Sequence, residues 1–316
     1  MIVLAIGATG FIGARLVRCL VQQGHDITVF HRGDTEADLP DAVRHIHGDR
    51  NALPNHRDAL TEAAPDVVID VVPYTEAQAR QVVDVFGGVA ERIVAVSSSD
   101  VYRNYDGWRG ASDHDPDPVP LTEEAPLRDT LYPYRGVEGI DFEYAHDYDK
   151  IRVEQIVMNA PDLVGTVLRL PAVYGPGDVQ HRLAPHLQRM DDGRSTIRMD
   201  ERQAMWRWTH GYVENVAAAI ACVATDSRAA GRIYNVGEAE TPTEAERVQQ
   251  LARVVGWDGD VVAVPPETLP TDVQAPGDFR YELATDTRRL RNELGYEAPV
   301  ARDDALRRTV EWERAH

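Results

Sequence analysis

Lysine is all but missing from the chain: Lys150 stands alone among 33 basic side chains. Cysteine is nearly as scarce, and Cys19 and Cys222 lie too far apart in sequence to frame a disulfide scaffold or a metal cluster. No metal, zinc included, is therefore expected, and a reducing cytoplasm is the expected compartment. Positive charge is short overall. The 33 Lys and Arg face 52 Asp and Glu, a formal charge of −19, which argues against a general attraction to nucleic acid or to an anionic membrane. Long hydrophobic runs are absent too. The apolar stretch Ile2–Ile6 has no basic flank and ends in glycines, and nothing approaches the roughly 20 apolar residues of a membrane span. Repeats and low-complexity tracts are likewise missing.

What remains is ordinary globular material: 316 residues, 43% hydrophobic and 27% charged, enough to bury a full core without cross-links. In the first half, short β-branched runs alternate with amphipathic segments of helix length. They predict strands at about Ile2–Ile6, Ile27–Phe30, Val43–His47, Val67–Val71 and Ile93–Val96, with helices near Phe11–Gln23, His56–Ala63 and Glu76–Val85. Strand and helix in alternation imply an α/β fold, a parallel sheet with right-handed crossovers. Residues 103–139 break the rhythm with a polar, proline-rich stretch that reads as a long functional loop. A helix over 147–159 and a strand over 163–169 follow. Further helices are expected at 215–224, 244–255 and 303–314, with a strand at 233–236.

The opening strand runs straight into Gly7-Ala-Thr-Gly10-Phe-Ile-Gly13 and then into an apolar helix. Glycines in this context allow a tight turn and let a pyrophosphate approach backbone amides at a helix N-terminus. Gly7, Thr9, Gly10, Phe11, Ile12 and Gly13 are thus candidate dinucleotide contacts. Coenzyme choice is written at the end of the second strand, where His31 and Arg32 stand. With no carboxylate in that place and a guanidinium able to fork onto a 2′-phosphate, the residues favour NADP, with NAD as the alternative. Asp49 and Arg50 after the third strand could flank the adenine, and Val72 follows the fourth.

Seven segments, taken in order, resemble the extended short-chain dehydrogenase/reductases, the nucleotide-sugar epimerases and dehydratases. They are Gly7–Gly13, Ser97-Ser-Ser-Asp-Val-Tyr102, Pro120-Leu-Thr-Glu-Glu-Ala-Pro126, Arg169-Leu-Pro-Ala-Val-Tyr-Gly-Pro176, Tyr212-Val-Glu-Asn-Val-Ala217, Tyr234-Asn-Val-Gly237 and Leu294-Gly-Tyr296. The resemblance implies a Rossmann-type doubly wound parallel sheet in residues 1–170 and a smaller C-terminal α/β substrate lobe in 171–316, with segments near 210–240 returning to the core. It also implies an enzyme that oxidises or reduces a carbinol or ketone carbon of a sugar-like or other small molecule by epimerisation, dehydration or reduction, and assembly as a homodimer.

In this family a Ser or Thr after the fifth core strand works with a Tyr four residues before a Lys. Ser98 matches the hydroxyl, Ser99 beside it would face substrate, and Lys150 matches the lysine, which also holds the coenzyme ribose. The tyrosine does not match, because position 146 is histidine. Tyr148 and Tyr134 are the main substitutes, with Tyr144 and His146 behind them; Tyr148 would point roughly 160° away from Lys150 unless the helix starts after it. Relatives grip a nucleotide diphosphate with two arginines. Arg207 fits the first place. The second, in Gln274-Ala-Pro-Gly-Asp278, has none before the aspartate, although Arg280 follows. Arg182, Trp206 and Trp208 could line the same cleft. The alternative function is a coenzyme-binding sensor or RNA-associated protein of the same fold that has lost proton transfer.

Overall fold

Seven strands form one sheet in which every neighbouring pair runs parallel. The computed structural model describes residues 1–34, 37–270 and 275–316. In chain order the strands are β1 (Ile2–Ile6), β2 (Asp26–His31), β3 (Arg44–His47), β4 (Val67–Asp70), β5 (Arg92–Ser98), β6 (Val164–Leu170), β7 (Ala172–Tyr174), β8 (Thr196–Asp200), β9 (His210–Tyr212), β10 (Ile233–Asn235) and β11 (Asp260–Val264). The large sheet has the order β10-β6-β5-β4-β1-β2-β3, while β11 pairs with β8 and β7 with β9.

The helices are α1 (Gly13–Gln22), α2 (Arg57–Glu62), α3 (Glu76–Phe86), α4 (Arg103–Trp108), α5 (Lys150–Met158), α6 (Ala184–Asp191), α7 (Glu201–Met205), α8 (Val213–Thr225), α9 (Glu244–Val255), α10 (Arg288–Leu294) and α11 (Arg302–Ala315). Among the described residues no helix is long and apolar enough to cross a membrane.

Alternation along the strands builds two apolar layers. Val3 and Ala5 of β1, Val29 of β2 and Ile69 of β4 face Leu16 and Leu20 of α1 and Ile220 of α8. Leu4 and Ile6, Phe30 and Val68 face the other way, onto Val82 and Phe86 of α3 and Val153 and Val157 of α5. Side chains of successive strand residues point to opposite faces, so strands covered on both sides must be apolar at every position. This is why these runs read as nearly continuous apolar stretches rather than as alternating patterns.

The stretch expected as a loop from residue 103 contains α4. No apolar periodicity announced it, because polar side chains hold it. Buried Asn104 donates to the carbonyls of Asp117 and Glu282 and accepts from the Asp117 N–H, and Arg103 pairs with Asp117. Helix α5 begins at Lys150 rather than at 147. The Asp149 carboxylate accepts from the Ile151 N–H at 2.9 Å and so ends the extended segment before it.

The sheet order turns about β1 and β4, whose connections leave in opposite directions. A crevice outside the carboxyl ends of the strands opens at such a point, and the loops after β1, β2 and β4 all reach it.

Candidate active site

The turn between β1 and α1 needs its glycines for different reasons. Gly7 has φ of +70°, and a Cβ there would lie 2.2 Å from Val72 Cγ2. A Cβ on Gly13 would lie 2.3 Å from the Ala8 Cα, so helix and strand can pack only because none is present. At Gly10 a Cβ would meet nothing within 4 Å, which marks the open side of the turn. No side chain caps α1, and a helix N-terminus without such a cap can turn amides to phosphate oxygens. This cradle fits a dinucleotide.

A cleft of about 390 Å³ opens from the turn, lined by Gly7, Thr9, Gly10, His31, Arg32, Asp49, Arg50 and Val72. Phe11, Ile12 and Gly13 lie behind it. The Phe11 carbonyl accepts from Arg15 at 2.7 Å, and the Arg15 guanidinium covers the Phe11 ring, so these residues support the turn. Asp49 caps the following turn by accepting from the Asn51 N–H. Arg50 is a buried strut that pairs with Asp70 and donates to the Val72 carbonyl.

The sequence left the coenzyme's ribose end free of carboxylates, and the fold corrects that premise. Arg32 Nε lies 3.2 Å from Asp34 and its Nη1 lies 3.6 Å from Glu143, a residue more than a hundred positions away. Asp34, Glu143, Phe142 and Tyr144 complete the cleft wall. Nothing local in the sequence placed the last three there.

At the carboxyl end of β5 a second constellation gathers on Asp100, a residue that the sequence reading passed over. The Ser98 hydroxyl accepts from the Asp100 N–H at 3.2 Å, and this short turn sets the buried Asp100 carboxylate beneath the strand end. Its Oδ2 accepts from the Tyr148 hydroxyl at 2.7 Å and from the Tyr134 hydroxyl at 3.1 Å. Tyr105 extends the chain, 2.9 Å from the Tyr134 hydroxyl. Oδ1 of Asp100 has no partner among the described residues. The available signal was the position of Asp100 two residues after Ser98.

Tyr148 reaches this point because it precedes α5. The Asp149 N–H donates to the Tyr74 carbonyl at 3.0 Å, and Tyr148 lies in an extended bridge opposite Thr75, so the rotation that separates i and i+2 on a helix does not apply. His146 is exposed and paired with Asp147. Tyr144 stacks on Tyr74 and accepts from Asn51 at the nucleotide cleft.

Lys150 is buried beside these phenols. It donates to the Pro73 and Val96 carbonyls, each at 2.9 Å, and its Nζ lies 4.9 Å from the Tyr74 ring centre and 5.8 Å from that of Tyr148. Burial pulls its pKa down to about 8, against the pull of Asp100 and Asp70. Burial, with Asp100 beside it, pushes the Tyr148 phenol well above its ordinary range. Tyr134 is raised for the same reasons. Both phenols are therefore neutral at physiological pH.

From Tyr105 the aromatic chain continues outward. Trp108 lies 5.6 Å from Tyr105 and stacks on Trp206 at 5.9 Å, with Trp208 at 6.2 Å. Beside Trp108 is an opening of about 680 Å³ that Arg109, Arg202 and Phe279 also line. The Trp108 and Trp208 indole N–H groups and one Arg109 Nη are buried without a partner among the described residues.

The arginines expected at the substrate each have partners within the chain. Arg207 lies 3.6 Å from Glu282 and donates to the Thr241 carbonyl. Arg182 donates to Asp178 and the Val173 carbonyl in the turn before α6. Arg280 is exposed and paired with Asp278. Gln274 lies outside the described residues. Ser99 is half-buried in the turn after β5, its carbonyl accepting from the Tyr102 N–H.

Known proteins place this architecture. The chain is 33% identical over 150 residues to a dTDP-glucose 4,6-dehydratase of Streptomyces niveus, a match covering 47% of this chain and 41% of that protein. It is 27% identical over 273 residues to the 2'-dehydrokanamycin reductase of Streptomyces kanamyceticus, covering 84% and 70% respectively. Its fold superposes on a UDP-glucose 4-epimerase of Thermus thermophilus, solved as a complex with NAD, at a TM-score of 0.67 and 22% identity over 99% of both chains. The sequence model of the NAD dependent epimerase/dehydratase family matches residues 3–237. With the glycine turn opening a parallel sheet and this match over most of its length, the chain belongs to the NAD dependent epimerase/dehydratase family of enzymes.

Proposed function

We propose that the protein reduces a ketone on a ring-bearing small molecule, sugar-like or otherwise, with Tyr148 as the proton donor and NAD(H) as the coenzyme. The observation that carries this reading is the convergence of Tyr148 and Tyr134 on Asp100, two residues after Ser98 and beside Lys150. A bound reduced nicotinamide supplies hydride to the carbonyl carbon. The Ser98 hydroxyl and the Tyr148 phenol hold the carbonyl oxygen, and Tyr148 gives that oxygen its proton as the carbon is reduced. Burial and the adjacent carboxylate keep the Tyr148 phenol protonated, so a proton is present at the hydroxyl when the carbonyl arrives. Lys150, the one lysine of the chain, takes the nicotinamide-side ribose, and the Tyr148 hydroxyl, which donates to Asp100 in the free protein, turns to the carbonyl oxygen when substrate binds.

Substrate enters from the opening beside Trp108, where the flat faces of Trp108 and Phe279 suit a ring. Arg207 and Arg280 both stand against carboxylates, so a nucleotide diphosphate has no free arginine pair to hold it. NAD is favoured over NADP because a 2′-phosphate on Arg32 would lie beside Asp34 and Glu143.

Consumption of NADH with a panel of cyclic ketones and ketosugars tests the reading. Tyr148→Phe is expected to lose about 100-fold or more in kcat with NADH affinity unchanged, whereas Tyr134→Phe loses far less. Full turnover in Tyr148→Phe, or turnover confined to nucleotide-linked sugars, would overturn the proposal.

A further inference from the structure

We propose that His31, His45 and His47 form a binding site for one divalent transition-metal ion of the zinc class, which clips edge strand β3 to β2 beside the nucleotide cleft. The strands pair with His31 opposite His47 and Val29 opposite His45. Residues two apart on a strand share a face, so His45 and His47 project on the side that carries His31. One ring nitrogen from each of the three lies within 4.8 Å of the others. The His31 Nε2 and His45 Nδ1 atoms are 2.8 Å apart, and the His31 ring centre lies 5.1 Å from that of His45 and 4.7 Å from that of His47.

Two imidazole nitrogens bound to the same tetrahedral zinc, each at about 2.0–2.1 Å, stand a little over 3 Å apart. The rings already approach that spacing. Three imidazoles with an open fourth position are a donor set that imidazole-preferring ions accept. His31 is buried, and its Nδ1 has no hydrogen-bond partner among the described residues. His45 and His47 are exposed, so an ion can arrive from solvent onto a first ligand that packing has already fixed. Gly33 leaves room for the arrangement: a Cβ there would lie 3.3 Å from His47 Cδ2.

Scarcity of cysteine argued against any metal, and the histidine signal was hidden because His31 and the His45-Ile-His47 pattern meet only once β2 and β3 pair. The test is calorimetric titration of the chelator-stripped full chain with zinc chloride, beside a His45→Asn/His47→Asn variant whose changes are both at exposed positions. Wild type is expected to bind one ion per chain in the micromolar range or tighter and to melt higher with zinc. The variant should bind at least about tenfold more weakly and show no thermal shift. Should the double variant melt early without metal, His47→Asn alone is read in the same way. Equal affinity in wild type and variant, or no saturable binding by wild type, would overturn the assignment.

Discussion

Lys150 holds its charge where water does not reach, with two main-chain carbonyls as its hydrogen-bond acceptors. Its folded pKa of about 8 lies below the 10.5 of a free lysine. Below both values the folded and unfolded chains carry the same proton. Between them the unfolded chain keeps a proton that the folded chain has released, so this group makes stability rise with pH across that window, by roughly 1.4 kcal/mol per pH unit. Methionine in its place cannot titrate. Urea denaturation at neutral and alkaline pH should therefore show the wild-type advantage over Lys150→Met growing as pH rises, and a constant difference would contradict the burial described for this side chain. The lysine itself was legible in the sequence because it stood alone. Its neighbours Tyr74 and Asp70 were not, since they enter from β4 and the loop after it, a link made by strand pairing that no spacing along the chain reveals.

Helix α5 shows the same division between local and distant information. Its apolar periodicity is plain in the sequence, but its first residue depends on Asp149. That carboxylate caps the helix, pairs with buried Arg128 at 3.0 Å and accepts from the Tyr132 N–H at 2.8 Å. One side chain thereby fixes the helix start and ties the segment carrying Tyr134 to the phenol that precedes α5. Asp149→Ala strips the partner from a buried guanidinium as well as the cap, and a loss of about 3 kcal/mol or more is expected in chemical denaturation. Hydrogen exchange should quicken in residues 128–134 together with the first turn of α5. The strands of the large sheet and the glycine turn were readable because their cause is local: apolar runs, punctuated by glycine. Helix α4 was not, because Asn104 and its distant carbonyl partners take the place of an apolar stripe. Tyr148 lay between these cases, since its use turned on where one helix begins.

At the scale of the whole molecule, the wall of the nucleotide cleft is built from chain segments that meet only in the fold. Arg32 comes from the end of β2 and Glu143 from the segment before α5, and the carboxylates of Glu143 and Asp34 both sit against the guanidinium. Removing them in Asp34→Ala/Glu143→Ala should tighten NADP severalfold and leave NAD nearly unchanged, as read by calorimetry or by the coenzyme-induced rise in Tm. Equal effects on the two coenzymes would show that neither carboxylate faces the 2′ position.

The sheet also carries a timing constraint. Its outermost strand on one side, β10, is encoded after β7, β8 and β9 have been laid down elsewhere, yet it bonds to β6. During synthesis from the N-terminus, β6 must wait with a bare edge until residues 233–235 have left the ribosome. Unpaired parallel edges invite wrong partners, so slower translation upstream of β10 should lower the yield of native protein.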